Sequence, residues 1–244
     1  MMIDLKRFAV WFLLVIIGLT GNLAEAQKDT TVFPRNSSDW WSVLGSTEEI
    51  DSGVIQHREL SGANYQILGI DVRDFSFAEV EKRLGNVSTV GRGDASTSRE
   101  QACYMSPLAE HPTYLIFEQG EVALSFYLFS VTTPWDERNL CASSKQVTRG
   151  MKTNSGLRLG LTMNQVIGIL GKPSKRLENE LDYFVTVKMK ESSEALARAR
   201  SQHPELSDKE FHEDYDEYDL TVFIRAQFDR SGMIYLAVVT TETN

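Results

Sequence analysis

The chain has 244 residues, of which 42% are hydrophobic and 24% charged, as in a globular protein rather than a disordered one. Asp and Glu number 34 against 25 Lys and Arg, which gives a formal net charge of −9. This acidic balance argues against nucleic-acid binding, because few cations are available to neutralise phosphates. The composition also excludes a collagen-like chain, a coiled-coil array and a multi-span membrane protein.

Residues 1–26 have the features of a secretory signal peptide. Lys6 and Arg7 precede an uncharged run from Phe8 to Ala24, and Ala24-Glu25-Ala26 matches the small-residue pattern of a signal-peptidase site. An uncleaved anchor is the alternative, but a span needs about 20 apolar residues, and this run has 17 and contains glycines. We therefore expect a secreted or periplasmic protein, with membrane contact only if the segment is uncleaved.

Two cysteines, Cys103 and Cys141, lie in the predicted mature chain. In an oxidising compartment such a pair favours a disulfide. The bond would join positions 38 residues apart and stabilise the fold by about 3–4 kcal/mol in the loop-entropy model. Free thiols and a metal site are the alternatives, and two cysteines without a neighbouring histidine make a poor zinc site.

Two segments, 67–85 and 157–173, match at an offset of 86 residues. Each has an N-cap residue followed three positions later by Glu or Gln, which is the pattern of a capping box. Each then has two apolar residues four apart, which share one helical face, and a glycine suited to a helix end. The pattern predicts two short helices, and the residues that define them are Ser76, Glu79, Val80, Leu84 and Gly85 in the first and Thr162, Gln165, Val166, Leu170 and Gly171 in the second.

Three β-rich segments follow each predicted helix. They cover 101–106, 113–120 and 121–131 after the first helix, and 181–189, 220–228 and 233–240 after the second. Gly120 and the sequence Asp229-Arg-Ser-Gly232 indicate hairpin turns between the last two segments of each set. We therefore predict an α+β fold of two tandem helix-plus-antiparallel-sheet units, over 64–145 and 155–244. The second unit has a helical, acidic insertion at about 191–218, and residues 27–63 form an irregular N-terminal arm.

Residues 156–173 resemble the G-hydrophobic-T-x-x-Q-V-x-x-x-L-G-x-P signature of the BamE/SmpA-like outer-membrane assembly lipoproteins, a pattern also found in tandem in the β-lactamase-inhibitor-protein-like fold. The first unit matches more weakly, since Asn86-Val87 stands where Lys172-Pro173 stands in the second. The resemblance implies helices packed on an antiparallel sheet and a protein-binding role. It implies structural roles, with no catalysis, for the motif residues Thr162, Gln165, Val166, Leu170, Gly171 and Pro173. This chain lacks the lipid-carrying cysteine that follows the signal in those proteins.

The acidic insertion contains the main candidates for chemistry. His203 and His212 lie among carboxylates there, and such a set could hold a metal. However, the chain has no His-Glu-x-x-His pair and no calcium-loop motif, and a run of charges is more typical of a solvated acidic loop. Gly-x-Ser-x-Gly, Ser-x-x-Lys and phosphate-loop motifs are also missing from the sequence. We therefore predict no enzyme, no catalytic residue, no metal and no cofactor.

Aromatic residues are the candidate binding anchors, with Trp40, Trp41 and Trp135 first among them, although tryptophans are more often packed inside. Successive strand residues face opposite sides, so some strand aromatics must face away from the helices and would form a binding surface unless another element covers it; these aromatics are Tyr104, Tyr114, Phe126, Tyr183, Phe223 and Tyr235.

The expected function is a secreted or periplasmic, non-enzymatic module that binds another protein on its sheet face. The alternatives are a small metal-binding protein or hydrolase that uses His203, His212 and neighbouring carboxylates, and an envelope structural protein tethered by an uncleaved N-terminal segment.

Overall fold

The computed structural model describes residues 56–57, 60–92, 98–107, 111–121, 123–130 and 138–243. All of these residues belong to one compact unit, which spans residues 50–244. The predicted signal peptide, most of the predicted arm, and Trp40, Trp41 and Trp135 lie outside the described residues.

Four α-helices occur in the described part of the chain: α1 (Phe77–Leu84), α2 (Met163–Leu170), α3 (Ser193–Gln202) and α4 (Asp208–Tyr215). The two helices predicted from the caps, α1 and α2, are confirmed. Each buries the two apolar residues spaced four apart and ends at a glycine with positive φ, 100° at Gly85 and 79° at Gly171. Two turns of 3₁₀ helix, Gly62–Asn64 and Arg138–Leu140, complete the helical elements of this part.

The two predicted capping boxes differ. In α2 the Thr162 hydroxyl accepts from the Gln165 N–H at 3.3 Å, and the Gln165 carboxamide oxygen accepts from the Thr162 N–H at 2.9 Å, so the box is complete. In α1 the Ser76 hydroxyl accepts from the Glu79 N–H at 3.2 Å, but the Glu79 side chain does not return to the N-cap. The first capping box is therefore only half formed, and its prediction as a complete box was wrong.

The strands vary from two-residue bridges to long central strands. They are β1 (Gln56–His57), β2 (Gln66–Ile67), β3 (Ile70–Asp71), β4 (Val90–Arg92), β5 (Arg99–Met105), β6 (Thr113–Gly120), β7 (Ala123–Ser130), β8 (Ala142–Ser143), β9 (Lys175–Arg176), β10 (Glu180–Lys190), β11 (Glu217–Asp229) and β12 (Gly232–Thr243).

Ten of these strands form one mostly antiparallel sheet in the order β1-β10-β11-β12-β7-β6-β5-β4, with β8 paired to β5 and β9 to β10. The predicted α+β class is therefore observed, with helices and a mainly antiparallel sheet in one unit. The hairpins β6–β7 and β11–β12 lie where the turn signals predicted them. Strands β7 and β12 pair across the middle of the sheet, with Tyr127 opposite Ala237.

The main hydrophobic core lies between one face of the sheet and the helices α1 and α2. Val80 and Leu84 from α1, and Val166 and Leu170 from α2, belong to the same buried cluster as alternate residues of the central strands. Because neither two-turn helix could bury its apolar side alone, the shared core explains why the helices form.

A disulfide joins β5 to the segment just before β8. Cys103 on β5 bonds Cys141, with 4.5 Å between the two Cα atoms, as the cysteine pair predicted. Strand β8 follows at once and pairs in parallel with the last two residues of β5, and the Ser144 N–H donates to the Met105 carbonyl at 2.9 Å. The bond therefore holds a two-residue strand that has few hydrogen bonds of its own.

Candidate functional site

The insertion after β10 folds as a helical hairpin; together with the first two residues of β11 we call it the acidic hairpin (residues 191–218). Its interior is a stack of rings around Phe211, which is 5% exposed. The Arg200 guanidinium lies 4.8 Å from the Phe211 ring centroid, Tyr215 stacks on Phe211 at 5.0 Å, and His203 stacks on Tyr215 at 5.4 Å. A complete capping box between Ser207 and Glu210 begins α4. The solvated loop expected for 208–215 is therefore a helix.

Most of the net negative charge of the chain lies in the acidic hairpin. It contains nine carboxylates against three basic side chains, a net charge of −6, while the whole chain has −9. Both arginines are engaged within it, since Arg200 pairs with Asp208 and Arg198 with Glu194 at 3.1 Å. Seven of the nine carboxylates are exposed. Because the basic groups are used internally, the outer surface of the hairpin is strongly negative.

The two histidines proposed as metal ligands do not converge. His203 Nδ1 lies 3.3 Å from Glu205, and His212 Nδ1 lies 2.7 Å from Asp216, so each imidazole contacts a different carboxylate. Among the described residues, no group of three or more His, Cys, Asp or Glu side chains is placed to hold a metal ion. Each histidine therefore makes a local contact with one nearby carboxylate and shares no ligand position with the other.

The strand aromatics lie on both faces of the sheet and are all buried. Tyr104, Phe126 and Tyr183 belong to the core beneath the helices, while Tyr114, Phe223 and Tyr235 alternate to the other face. Each of the six is at most 2% exposed. These six residues therefore do not form the exposed aromatic surface that the sequence suggested. They fit the alternative, in which the face is covered.

The sheet face opposite the helices carries a buried polar network that the sequence did not indicate. The Gln101 carboxamide donates to the Glu118 carboxylate across β5 and β6, and the Tyr127 hydroxyl donates to Glu118 at 3.1 Å. The Arg99 Nε lies 3.6 Å from the same carboxylate. Burial raises the pKa of Tyr127 well above its ordinary value, and the neighbouring Glu118 charge adds to the rise.

A second buried network lies on β10 and β11. Arg225 donates two hydrogen bonds to Asp182, at 2.7 and 3.0 Å, and the Gln227 carboxamide donates to Glu180 at 2.8 Å. Burial raises the pKa of Asp182, and the hydrogen bonds from Arg225 only partly oppose that rise. Burial alone would lower the pKa of Arg225, but its bonds to Asp182 raise it. These pairs could have been identified from the sequence only if the strand order and register had been known.

Comparisons with known proteins add little. No family model and no curated protein matches the chain. One solved structure, a putative GntR-family transcriptional regulator, aligns over 78% of this chain and 64% of its own length, at 9% identity and a TM-score of 0.23. That similarity is too low to bear on the fold or the function. Over the described residues, every helix is too short or too polar to cross a bilayer.

Proposed function

We propose that the chain is a secreted or periplasmic, non-enzymatic protein-binding module built from two tandem copies of one helix-plus-sheet unit, with its contact surface on the acidic hairpin. The signal-like N-terminal sequence and the disulfide support the compartment. The resemblance of residues 156–173 to the BamE/SmpA-like repeat supports the class of function.

Matched contacts in the two halves support the tandem arrangement. The Tyr104 hydroxyl donates to the carbonyl of Gly85, the glycine that ends α1, at 2.9 Å. The Tyr183 hydroxyl donates to the carbonyl of Gly171, the glycine that ends α2, at 3.2 Å. Each tyrosine lies on the first long strand after its helix, and each bonds the glycine that ends that helix, as a duplicated unit would.

The sheet supports the same proposal. Its order places β5-β6-β7 beside β12-β11-β10, so the two sets meet at their last strands. On the face opposite the helices, each set joins a glutamine and a glutamate across its first two strands. The partners are exchanged: Gln101 donates to Glu118 in one set, and Gln227 donates to Glu180 in the other. A duplicated unit would retain such a pair while its members diverged.

The observation that carries the binding role is the uncompensated charge on an ordered scaffold. The acidic hairpin has a net charge of −6, exposed carboxylates and a packed ring interior. A preorganised surface loses less conformational entropy when it binds than a flexible loop does. A negative patch also steers a positively charged partner and discriminates against a negative one. We therefore propose a partner protein with a basic surface.

The experiment captures partners from the envelope or secreted fraction on the immobilised protein, then measures the affinity of each purified candidate by calorimetry. The test variant neutralises three exposed carboxylates of the hairpin, Glu213→Gln, Asp214→Asn and Glu217→Gln. Loss of the three exposed negative charges should weaken binding by about tenfold or more. Added salt should weaken the wild-type complex more than the variant complex.

The matched control neutralises three exposed carboxylates outside the hairpin, Asp74→Asn, Glu121→Gln and Glu178→Gln. Both variants change the net charge by the same amount, so the comparison separates local recognition from overall charge. The proposal requires the hairpin variant alone to lose affinity. Equal losses in both variants, or binding unaffected by either, would refute the hairpin as the contact surface.

A further inference from the structure

A cleft of about 460 Å³ lies between the β2–β3 turn and α1. The described residues that line it are Leu68 from the turn, Glu79, Lys82 and Arg83 from α1, and Gln146 from the loop after β8. None of these residues belongs to the acidic hairpin or to the buried networks. Lys82 and Arg83 are three and four residues after Glu79, so the three side chains lie on one side of the helix and can contact the same bound group.

The turn beside the cleft is strained. Leu68 has φ 55°, and it alone among the described non-glycine residues has positive φ. Gly69 follows with φ 74°, so the two central residues of the turn are both left-handed, which a leucine rarely adopts. Strain of this kind persists where the surroundings impose it, and it concentrates at functional sites.

The Arg83 side chain packs against that turn. A Cβ built on Gly69 would lie 3.1 Å from Nη1 of Arg83, so the guanidinium rests on the glycine backbone. Glu79 and Arg83 have the i,i+4 spacing and orientation that favour an ion pair on a helix. Neither residue, however, makes an ion pair within the described part of the chain, and the same holds for Lys82. Lys82 and Arg83 therefore face the cleft with no carboxylate partner among the residues that the structure describes.

We propose that this cleft binds a carboxylate group of a peptide, with Arg83 and Lys82 as its cationic contacts. A guanidinium offers parallel N–H groups that fit a carboxylate. The Gln146 carboxamide supplies a neutral donor, and the half-buried Leu68 side chain packs against an apolar neighbour of the bound carboxylate. Glu79 repels the ligand and weakens binding.

The carboxylate can come from a peptide C-terminus or from an Asp side chain, and three probes separate these sources. They are acetyl-Ala-Leu-Ala with a free C-terminus, the same peptide as its C-terminal amide, and acetyl-Asp-Leu-Ala as its C-terminal amide. Binding is followed by NMR titration of the full chain. At least one carboxylate-bearing probe should bind about tenfold or more tightly than the neutral amide, and which one does identifies the source.

Variants test the assignment in opposite directions. Arg83→Gln and Lys82→Gln should each weaken binding of the preferred probe by about tenfold. Glu79→Gln should strengthen it by up to about fivefold, an effect that a purely structural role would not produce. Lys175→Gln changes an exposed lysine outside the cleft and should leave affinity unchanged.

Equal binding of all three probes would overturn the proposal, as would affinities that do not respond to Lys82→Gln and Glu79→Gln. Circular dichroism of each variant checks the fold. If Arg83→Gln unfolds the chain, the opposite responses of the other two variants decide the matter. The acidic hairpin variant should bind the preferred probe normally, so failure of one proposal leaves the other intact.

Discussion

Replacing Gly232 with alanine should destabilise the protein strongly, because this glycine begins β12 where two backbone segments touch. Its φ is 107°, and an added Cβ would lie 2.6 Å from the carbonyl oxygen of Gly160 and 3.0 Å from its Cα. Two hydrogen bonds hold the segments together: the Gly160 N–H donates to the Met233 carbonyl at 2.8 Å, and the Met233 N–H donates to the Leu161 carbonyl at 2.7 Å. The clash is with backbone, which cannot rotate away.

The expected loss combines two costs. Forcing a residue with a Cβ into left-handed backbone costs about 1–2 kcal/mol, and overpacking a close contact costs about 1–3 kcal/mol. Gly232→Ala should therefore lower the free energy of unfolding by about 2–5 kcal/mol. Urea denaturation followed by circular dichroism measures it, and with a slope of about 2 kcal/mol/M the midpoint should fall by about 1–2.5 M.

Gly168→Ala is the matched control. Gly168 lies inside α2, its φ is not positive, and an added Cβ would meet nothing within 4 Å. Alanine there should raise the free energy of unfolding by about 0.5–1 kcal/mol, since glycine is the weaker helix former. The two alanines should thus shift the urea midpoint in opposite directions. A Gly232→Ala midpoint equal to wild type would show that the segments do not approach as described.

Three further measurements test other parts of the fold. Replacing Cys103 and Cys141 by serine should cost about 3–4 kcal/mol, and an unchanged urea midpoint would contradict a stabilising disulfide. Tyr104→Phe and Tyr183→Phe should each cost about 1 kcal/mol, and clearly unequal losses would count against equivalent helix ends. Burial raises the pKa of Tyr104 to about 12 from its ordinary 10. The contribution of Tyr104 to the free energy of unfolding is therefore full below pH 10 and should be lost as the pH rises toward 12. The free energy of unfolding should depend less on pH over that range in Tyr104→Phe.

The helices α1 and α2 could be predicted because their signals are local. An N-cap, an apolar pair four residues apart and a terminal glycine all lie within ten residues of one another, so the ends and the buried face of each helix can be located from the sequence. The shared core then stabilises the helix. The hairpins β6–β7 and β11–β12 were predictable for the same reason. The insertion at 191–218 was predicted to be helical, but α4 was not placed within it, although Ser207 and Glu210 stand at the spacing of a capping box, because the density of charge suggested a loop.

The buried networks could not be predicted, because they depend on strand order. Alternation along a strand shows that Glu118 and Leu115 face opposite sides, but it does not show which strand lies next to β6. The bond from Tyr127 to Glu118 requires β7 beside β6, and the bond from Arg225 to Asp182 requires β11 beside β10. The expectation of an open aromatic face failed for the same reason, since the burial of a face depends on the assembled sheet.

If the two units arose by duplication, as proposed, equivalent positions of α1 and α2 can be compared. The positions that bury the helix and end it are the same or similar in both, and these residues pack the core and end the helices. The outer positions are not: Lys82 and Arg83 in α1 stand where Gly168 and Ile169 stand in α2. Glu79, whose counterpart completes its capping box, lines the cleft instead. In α1 these charges also complement the helix dipole, with Glu79 in the first turn and Lys82 and Arg83 in the last. Since α2 forms without such charges, the proposed binding role accounts for their clustering around one cleft.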